Sequence, residues 1–296
     1  MSRVLVVGNV NVDIIVRPAE SLPPPGTESI VESISVRVGG AGANAAIALA
    51  RLGEPPNLMG CIGDDAFGRF LLDEISAAAV ATDGIAVVPT TPSGVSIAFE
   101  TPVRDRSFLT SLGALAVFDP AGAIEAAKNA SAVLLSGYFL VPTVRGTPAR
   151  ELFSRGREVG ATTLFDTGWD PGGWQASTRE EVDELLPLVD VFLPNGDEAS
   201  ALAGVADPRD AARVLHRRSG GVVTVKLGGE GCFAVGPGPQ EHTVAAQRNV
   251  STDTTGAGDA FNGALIYARG KGLDWQRSLE FATRIATETI SKPSHR

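Results

Sequence analysis

Residues 189–227 read VDVFLPNGDEASALAGVADPRDAARVLHRRSGGVVTVKL and contain two apolar runs with a helical pattern between them. Apolar and β-branched residues dominate 189–193 and again 222–227, which predicts two strands buried on both faces of a sheet. The segment 207–217 between them has the amphipathic pattern of a helix. A strand, a helix and a second strand in this order predict a βαβ unit, whose two strands lie parallel in one sheet.

The same alternation extends through most of the chain. Further apolar runs predict strands at 4–8, 132–137, 162–166 and 232–235. Alanine-rich or amphipathic stretches predict helices at 44–52, 67–79, 145–158 and 257–269. We therefore predict an α/β fold with a central, mostly parallel sheet that is flanked by helices.

Two segments interrupt this alternation. Residues 12–38 and 93–115 show strand-like patterns with no helix between the strands, and PPPG at 23–26 supplies a turn in the first. We expect them to form a small accessory β-sheet that acts as a lid over a cleft. The alternative is an antiparallel extension of the main sheet.

Composition excludes several classes of protein. Hydrophobic residues make up 44% of the 296 residues and charged residues 20%, which excludes a disordered chain. A net charge of −9 argues against binding to nucleic acid or to an anionic membrane. The N-terminus is typical of a first strand, and no apolar run is long enough to span a membrane, so we expect a cytoplasmic protein. Cys61 and Cys232 are expected to be buried thiols.

The strongest chemical signal is DTTGAGD at 253–259, which directly precedes the helical pattern AFNGALIYARG. Gly256, Ala257 and Gly258 would let successive backbone N–H groups point at one anion, with the helix dipole behind them. Asp259 follows this nest and could accept a proton from a substrate hydroxyl. The arrangement suits phosphoryl transfer. The alternative is that Asp253 or Asp259 only caps the helix.

A second glycine-rich stretch, GGAGAN at 39–44, also precedes a helix. Upstream, Asn9, Asn11 and Asp13 alternate along an extended segment, so their side chains share one face. Amide and carboxylate groups bind the hydroxyls of a polyhydroxylated ligand. Alternatively, the glycine-rich loop only packs a helix on a strand.

Two further motifs follow predicted strands. Asn195 and Glu198 in LPNGDE supply the oxygen ligands that a hydrated Mg²⁺ prefers, although a capped turn would use the same residues. KLGGEG at 226–231 combines a glycine-rich turn with Lys226, which could neutralise phosphate, although an ordinary hairpin has the same pattern.

In this order the motifs resemble the ribokinase-like carbohydrate kinases, the PfkB family. GDDAFG at 63–68 matches a further landmark of that family. The resemblance implies a single ribokinase-like domain over 1–296, with Asp259 as the catalytic base and the backbone of Gly256, Ala257 and Gly258 as the anion hole. It implies sugar-binding residues at Asn11, Asp13, Gly39, Gly40 and Asn44.

The resemblance also implies ATP and Mg²⁺. Asn195 and Glu198 would hold Mg²⁺ largely through water, and Asp253 with Thr255 matches half of a monovalent-cation site for K⁺. The residues bordering the nucleotide would be Asn195, Lys226, Gly228, Gly231 and Thr255. In many members the lid also forms a homodimer.

The expected activity is therefore ATP-dependent phosphorylation of a hydroxymethyl group on a small sugar. Ala41 stands where ribokinases usually carry a lysine, so the sequence does not assign ribose as the sugar. A nucleoside kinase of the same fold is one alternative. The other is a catalytically silent sugar- or nucleotide-binding protein. The short segment that follows a further predicted helix at 275–289 would favour it.

Overall fold

The computed structural model describes residues 4–18, 23–100, 107–237, 240–247 and 255–291. Within these ranges the chain forms two β-sheets and a set of flanking helices. The strands are β1 Val4–Gly8, β2 Asn11–Arg17, β3 Ser33–Gly39, β4 Asn57–Gly63, β5 Ile85–Val88, β6 Gly94–Phe99, β7 Ser107–Ser111, β8 Ala132–Ser136, β9 Thr162–Asp166, β10 Val191–Phe192, β11 Val222–Lys226, β12 Cys232–Val235 and β13 Glu241–Val244. The helices are α1 Ala41–Arg51, α2 Ala66–Ala77, α3 Ala121–Ala127, α4 Thr147–Glu158, α5 Ala176–Leu185, α6 Gly196–Ala203, α7 Pro208–Ser219, α8 Ala257–Gly270 and α9 Trp275–Ser291.

The main sheet has the strand order β13-β12-β11-β10-β9-β8-β1-β4-β5. Strands from β11 to β5 pair in parallel, while β12 and β13 are antiparallel to their neighbours. Parallel strands end at one edge of a sheet, and ligands bind at that edge in open α/β folds. The α/β prediction is confirmed.

Hydrophobic cores cover both faces of this sheet. Alternate residues of β1 divide between them: Leu5 and Val7 lie in one core, and Val4 and Val6 in the other. This division explains why the central strands are continuous apolar runs instead of alternating polar and apolar residues.

The lid strands form a separate four-stranded sheet in the order β3-β2-β6-β7. An antiparallel extension of the main sheet was the wrong alternative. In this sheet β2 pairs antiparallel with β3 and parallel with β6, and β6 pairs antiparallel with β7. The predicted lid segments 12–38 and 93–115 thus supply all four strands, although 101–106 lie outside the described residues.

The two faces of the lid differ in chemistry. One row across the sheet pairs Asp13 with Ser96 and Thr110, and therefore puts three polar side chains on one face. The neighbouring row pairs Ile14 with Val36, Ile97 and Leu109 on the opposite face. The polar face is the one that carries the predicted sugar-binding aspartate.

Several element boundaries differ from the sequence prediction. Helix α1 begins at Ala41, three residues before the predicted start at 44, because Gly40 adopts a φ of 96° and begins the turn. The predicted strand at 189–193 is limited to Val191–Phe192. No described helix is both long and apolar enough to cross a lipid bilayer.

Candidate active site

The N-terminus of α8 carries the strongest predicted motif. Its N-cap residue is Gly256, whose φ of 76° lies in the left-handed region that glycine tolerates best. No side chain caps this helix, so the N–H groups of its first turn are not satisfied by a capping residue. Asp259, three residues after the N-cap, does not cap the helix, and that alternative is wrong for it. Asp253 and Thr254 lie outside the described residues.

The Asp259 carboxylate has an unusual environment. The pKa of Asp259 is raised to about 7, chiefly by burial and in second place by the negative charge of Asp166. The positive charge of Lys226 and a hydrogen bond from Asn44 act in the opposite direction. A carboxylate with a pKa near 7 is a stronger base than an exposed aspartate and is still partly ionised at neutral pH.

Asn44 connects the glycine-rich loop to this carboxylate. Its Nδ2 donates to Asp259 Oδ2 at 3.0 Å, across 215 positions of sequence. Asn9, the residue that follows β1, holds the loop in place, because the Ala41 N–H donates to Asn9 Oδ1 at 2.9 Å. A Cβ at Gly40 would lie 2.3 Å from the Asn9 carbonyl oxygen, so only glycine fits there.

A chain of hydrogen bonds leads from β1 to the lid. Asn9 Nδ2 donates to Asn11 Oδ1 at 2.9 Å, and Asn11 Nδ2 donates to Asp13 Oδ1 at 2.9 Å. All three side chains are buried, and Asp13 is 8% exposed at the end of the chain. A Cβ at Gly39 would lie 2.1 Å from Asp13 Oδ1, so Gly39 leaves room for that carboxylate. The structure therefore places Asn11 as a support that orients Asp13.

Asn195 and Glu198 form a reciprocal capping box at the start of α6. The Glu198 N–H donates to Asn195 Oδ1 at 2.9 Å, and the Asn195 N–H donates to Glu198 Oε2 at 2.8 Å. The capped turn is therefore present. The pKa of Glu198 is raised to about 7, chiefly by burial and in second place by the charge of Asp166.

The chemistry of these oxygens also fits Mg²⁺. A cation would stabilise the charged form of a buried carboxylate such as Glu198. Among the described residues, no three His, Cys, Asp or Glu side chains cluster as a metal cage. A Mg²⁺ ion held here would take most of its ligands from water and phosphate, as Mg²⁺ commonly does.

The structure adds two residues that the sequence analysis missed, Asp166 and Asn262. Lys226 Nζ donates to Asp166 Oδ2 at 2.8 Å and to Asn262 Oδ1 at 3.4 Å. Asn262 Nδ2 in turn donates to Asp166 Oδ2. Asp166 is the last residue of β9, at the edge of the sheet where ligands bind in such folds. A carboxylate at the end of a predicted apolar strand was the sequence signal that could have identified it.

The KLGGEG segment forms a hairpin between β11 and β12, as its simpler interpretation predicted. Gly228 and Gly231 both have positive φ, 57° and 99°, and a Cβ at Gly231 would lie 1.9 Å from the Val244 carbonyl oxygen. Val244, the last residue of β13, also borders a cavity of about 470 Å³ between β13 and α9. Its lining includes Val244, Ala245, Leu273, Phe281 and Thr283.

Comparison with known proteins decides the family. The model of the pfkB family carbohydrate kinases matches residues 1–296. The chain belongs to the PfkB family. This PfkB kinase is therefore a carbohydrate kinase, and the resemblance found in its sequence is confirmed.

Its relatives phosphorylate different acceptors, as their names state. Ribokinase of Schizosaccharomyces pombe is 26% identical over 99% of this chain and 93% of its own. Aminoimidazole riboside kinase of Salmonella typhimurium is 28% identical over 94% of this chain and 84% of its own. The structure of Arabidopsis thaliana ribokinase complexed with ribose and ATP superposes with a TM-score of 0.83 at 25% identity, covering 99% of this chain and 94% of that one.

In this PfkB kinase the fold brings distant motifs together. Asn44 from the glycine-rich loop contacts Asp259, and Asn195 forms an isolated parallel bridge with Lys226. Thr255 lies in the turn that precedes α8.

Proposed function

We propose that the protein transfers the γ-phosphoryl group of ATP to a hydroxymethyl group of a small sugar. The observation that carries this proposal is the Asp259 carboxylate, which has a pKa near 7 and lies in the first turn of α8. Asp259 takes the hydroxyl proton, and the sugar oxygen forms a bond to the γ-phosphorus while the bond to the β–γ bridging oxygen breaks. ADP leaves with that bond's electron pair.

Negative charge on the transferring group needs donors that are already in place. The backbone N–H groups of Gly256, Ala257 and Gly258 would supply them, since they open an uncapped helix. Preorganised N–H donors of this kind need little rearrangement during the reaction.

The sugar would bind between the glycine-rich loop and the polar face of the lid. Asp13 would accept hydrogen bonds from two hydroxyls, and Asn11 would hold Asp13 in position. Asn44 would contact the sugar beside Asp259. Gly39 and Gly40 would let the backbone approach the ligand closely.

ATP would bind at the carboxyl ends of β10 and β11. The residues that border the nucleotide would be Asn195, Lys226, Gly228, Gly231 and Thr255. Mg²⁺ held by Asn195 and Glu198 would neutralise phosphate charge. A K⁺ ion would bind at Asp253 and Thr255.

The test is ADP release from Mg-ATP with a panel of ketoses, aldoses, sugar acids, sugar phosphates and nucleosides. Asp259→Asn runs beside every acceptor. One sugar with a rate far above the others, and a silent variant, would support the proposal. Thermal stabilisation by a ligand without turnover would instead support a catalytically silent sugar- or nucleotide-binding protein. Repeating the assay with choline in place of K⁺ tests the cation, and equal rates would remove K⁺ from the proposal.

A nucleoside acceptor is the second candidate. Phe108 is paired with Ala98 on the polar, site-facing side of the lid, and 53% of it is exposed. An exposed aromatic ring in that position could stack on a base. The relative that acts on aminoimidazole riboside favours the same candidate. A nucleoside as the best substrate in the panel would select it.

We also propose that the lid forms a homodimer through the exposed part of the face opposite Asp13. This face carries Ile34, Val36 and Leu109, which are 63%, 47% and 56% exposed. They continue the apolar rows of the inner strands β2 and β6. A second copy of the same face would cover them, since a two-fold contact joins identical patches.

Val36→Asp is expected to dissociate this dimer, because a charge would be buried without a partner. The dimer dissociation constant should rise by about 100-fold or more. Light scattering during size-exclusion chromatography, at matched concentrations, measures the effect. Val87→Asp on the outer strand β5 is the matched control, since Val87 is also 47% exposed. A monomeric wild type, or dissociation of both variants, would contradict the proposal.

The pH dependence of kcat/KM should show the titration of Asp259. Below a pKa of about 7 the carboxylic acid cannot accept the hydroxyl proton, so the rate should fall about tenfold per pH unit. Above that value the carboxylate is ionised and the rate should reach a plateau. Initial rates at saturating Mg-ATP measure the profile. A flat profile across the neutral range would mean that Asp259 has an ordinary pKa or is not the base.

A further inference from the structure

Lys226, Asp166 and Asn262 form a closed cluster beneath the first turns of α8. Lys226 is the last residue of β11, Asp166 is the last residue of β9, and Asn262 lies on α8. Each member bonds to both others: Lys226 to Asp166 at 2.8 Å, Lys226 to Asn262 at 3.4 Å, and Asn262 to Asp166. The cluster thereby joins the ends of β9 and β11 to α8.

The cluster directs the ammonium group at the predicted anion hole. A Cβ placed on Gly258 would lie 3.6 Å from Lys226 Nζ, in ordinary van der Waals contact. The ammonium group therefore lies directly beside the backbone that would bind the transferring phosphoryl group. The Lys226 side chain is only 13% exposed and that of Asp166 only 6%, so solvent screens their charges weakly.

The hydrogen bonds leave one donor of Lys226 available. An ammonium group has three N–H donors. One is directed to Asp166 and one to Asn262, and in the described part of the chain the third has no partner. A lysine side chain also has several rotatable bonds, so its head group is well positioned only when other groups hold it. Asp166 and Asn262 provide that restraint.

We propose that Lys226 donates its third N–H to the γ-phosphoryl group during its transfer. Asp166 and Asn262 are the positioning residues that hold the ammonium group in place. This inference rests on the proposed function. It places Lys226 in contact with the transferred phosphoryl group and not only at the border of the nucleotide site. It also gives positioning roles to Asp166 and Asn262, which the sequence analysis did not single out.

The competing interpretation is a structural ion pair that fastens α8 to the sheet. Replacing a buried pair by neutral side chains is often tolerated, whereas removing one partner leaves an uncompensated charge. The two interpretations therefore differ most in the double variant Asp166→Asn/Lys226→Met. A structural pair predicts that this variant regains activity, and a catalytic lysine predicts that it does not.

The experiment compares wild type, Lys226→Met, Asp166→Asn and the double variant. We expect Lys226→Met to lower kcat by about 100-fold, the effect of losing one preorganised donor. Asp166→Asn removes the charge and keeps one of the two acceptor oxygens, and it should lower kcat by about tenfold. In the double variant kcat should equal that of Lys226→Met, because Asp166 acts only through the lysine.

A binding measurement separates catalysis from nucleotide affinity. Calorimetry with ADP and with ADP–aluminium fluoride, each with sugar and Mg²⁺ present, compares the ground state with a mimic of the planar phosphoryl group. Lys226→Met should weaken the aluminium fluoride complex by about 100-fold and leave ADP affinity within about threefold. Lys271→Met is the control: Lys271 pairs with Glu54 at 3.0 Å at the far end of α8.

Each outcome has a defined meaning. Thermal unfolding of every variant shows whether it is folded, and the double variant decides the question if the unpaired Asp166 of Lys226→Met prevents folding. A folded double variant with wild-type kcat would overturn the inference, as would equal aluminium fluoride affinity in wild type and Lys226→Met. A wild type that phosphorylates no acceptor would overturn the proposed function as well, so the two failures are distinguishable.

Discussion

Asp259→Asn is expected to lower kcat by about 10³- to 10⁴-fold, because the amide cannot accept the hydroxyl proton. The dissociation constant for the sugar should change little. The amide keeps an oxygen that can accept the 3.0 Å hydrogen bond from Asn44, so the pocket should retain its shape. Single-turnover rates and calorimetric sugar binding measure the two quantities separately.

The same substitution is expected to stabilise the folded protein at alkaline pH. The pKa of Asp259 is about 7 in the folded state and has an ordinary value of 3.8, so folding favours the protonated form. Ionisation of the wild type therefore reduces its stability progressively as pH rises from about 4 through 7. Asparagine cannot ionise, so the gain in Tm should be largest above pH 7 and should vanish near pH 4.

Asp73→Asn is the matched control for both measurements, since Asp73 is exposed on α2. It should not change kcat. Comparable kcat in Asp259→Asn and wild type would remove Asp259 as the base. A lower Tm of Asp259→Asn at pH 8 would show instead that the charged carboxylate supports the fold.

Asp13→Ala is expected to weaken sugar binding by about 10²- to 10³-fold. A hydrogen bond to a charged group contributes about 1.5–3 kcal/mol, and two sugar hydroxyls would lose such a bond. The effect should appear mainly in the sugar's KM and Kd, because Asp13 does not accept the transferred proton.

Asp13→Asn distinguishes lost ligand contacts from local collapse. The amide oxygen can still accept from Asn11 Nδ2, the bond that closes the chain from Asn9 to the lid. We expect an intermediate loss of affinity in this variant, with the Tm of wild type. Unchanged sugar affinity in Asp13→Ala would exclude Asp13 from the site.

The sequence predicted the fold because its central strands are apolar on both faces. Val4–Gly8 and Thr162–Asp166 were predicted at the bounds that the structure shows. Shorter or less regular elements were missed. Helix α6 has only eight residues and begins with glycine, and β4 contains glycine at Gly60 and Gly63, so neither has a clear periodic pattern.

Part of the site follows from sequence and part requires the fold. Asp259 could be identified because small residues and a helix pattern surround it. Asp166 and Asn262 contribute through contacts across 60 and 36 positions with Lys226, which a single sequence does not reveal. The pKa of Asp259 likewise depends on burial and on the charge of Asp166, which arise only when β9 and α8 pack together.

A very short piece of chain joins the lid to Asn44, whose side chain bonds the proposed base Asp259. Strand β3 ends at Gly39, Gly40 follows, and α1 begins at Ala41 and carries the asparagine that bonds Asp259. A displacement of the lid would therefore move α1 and, with it, the Asn44 side chain that bonds Asp259. Under the proposed function, a sugar bound at the lid would thus adjust the side chain that orients the base, and ATP would be consumed mainly when an acceptor is bound.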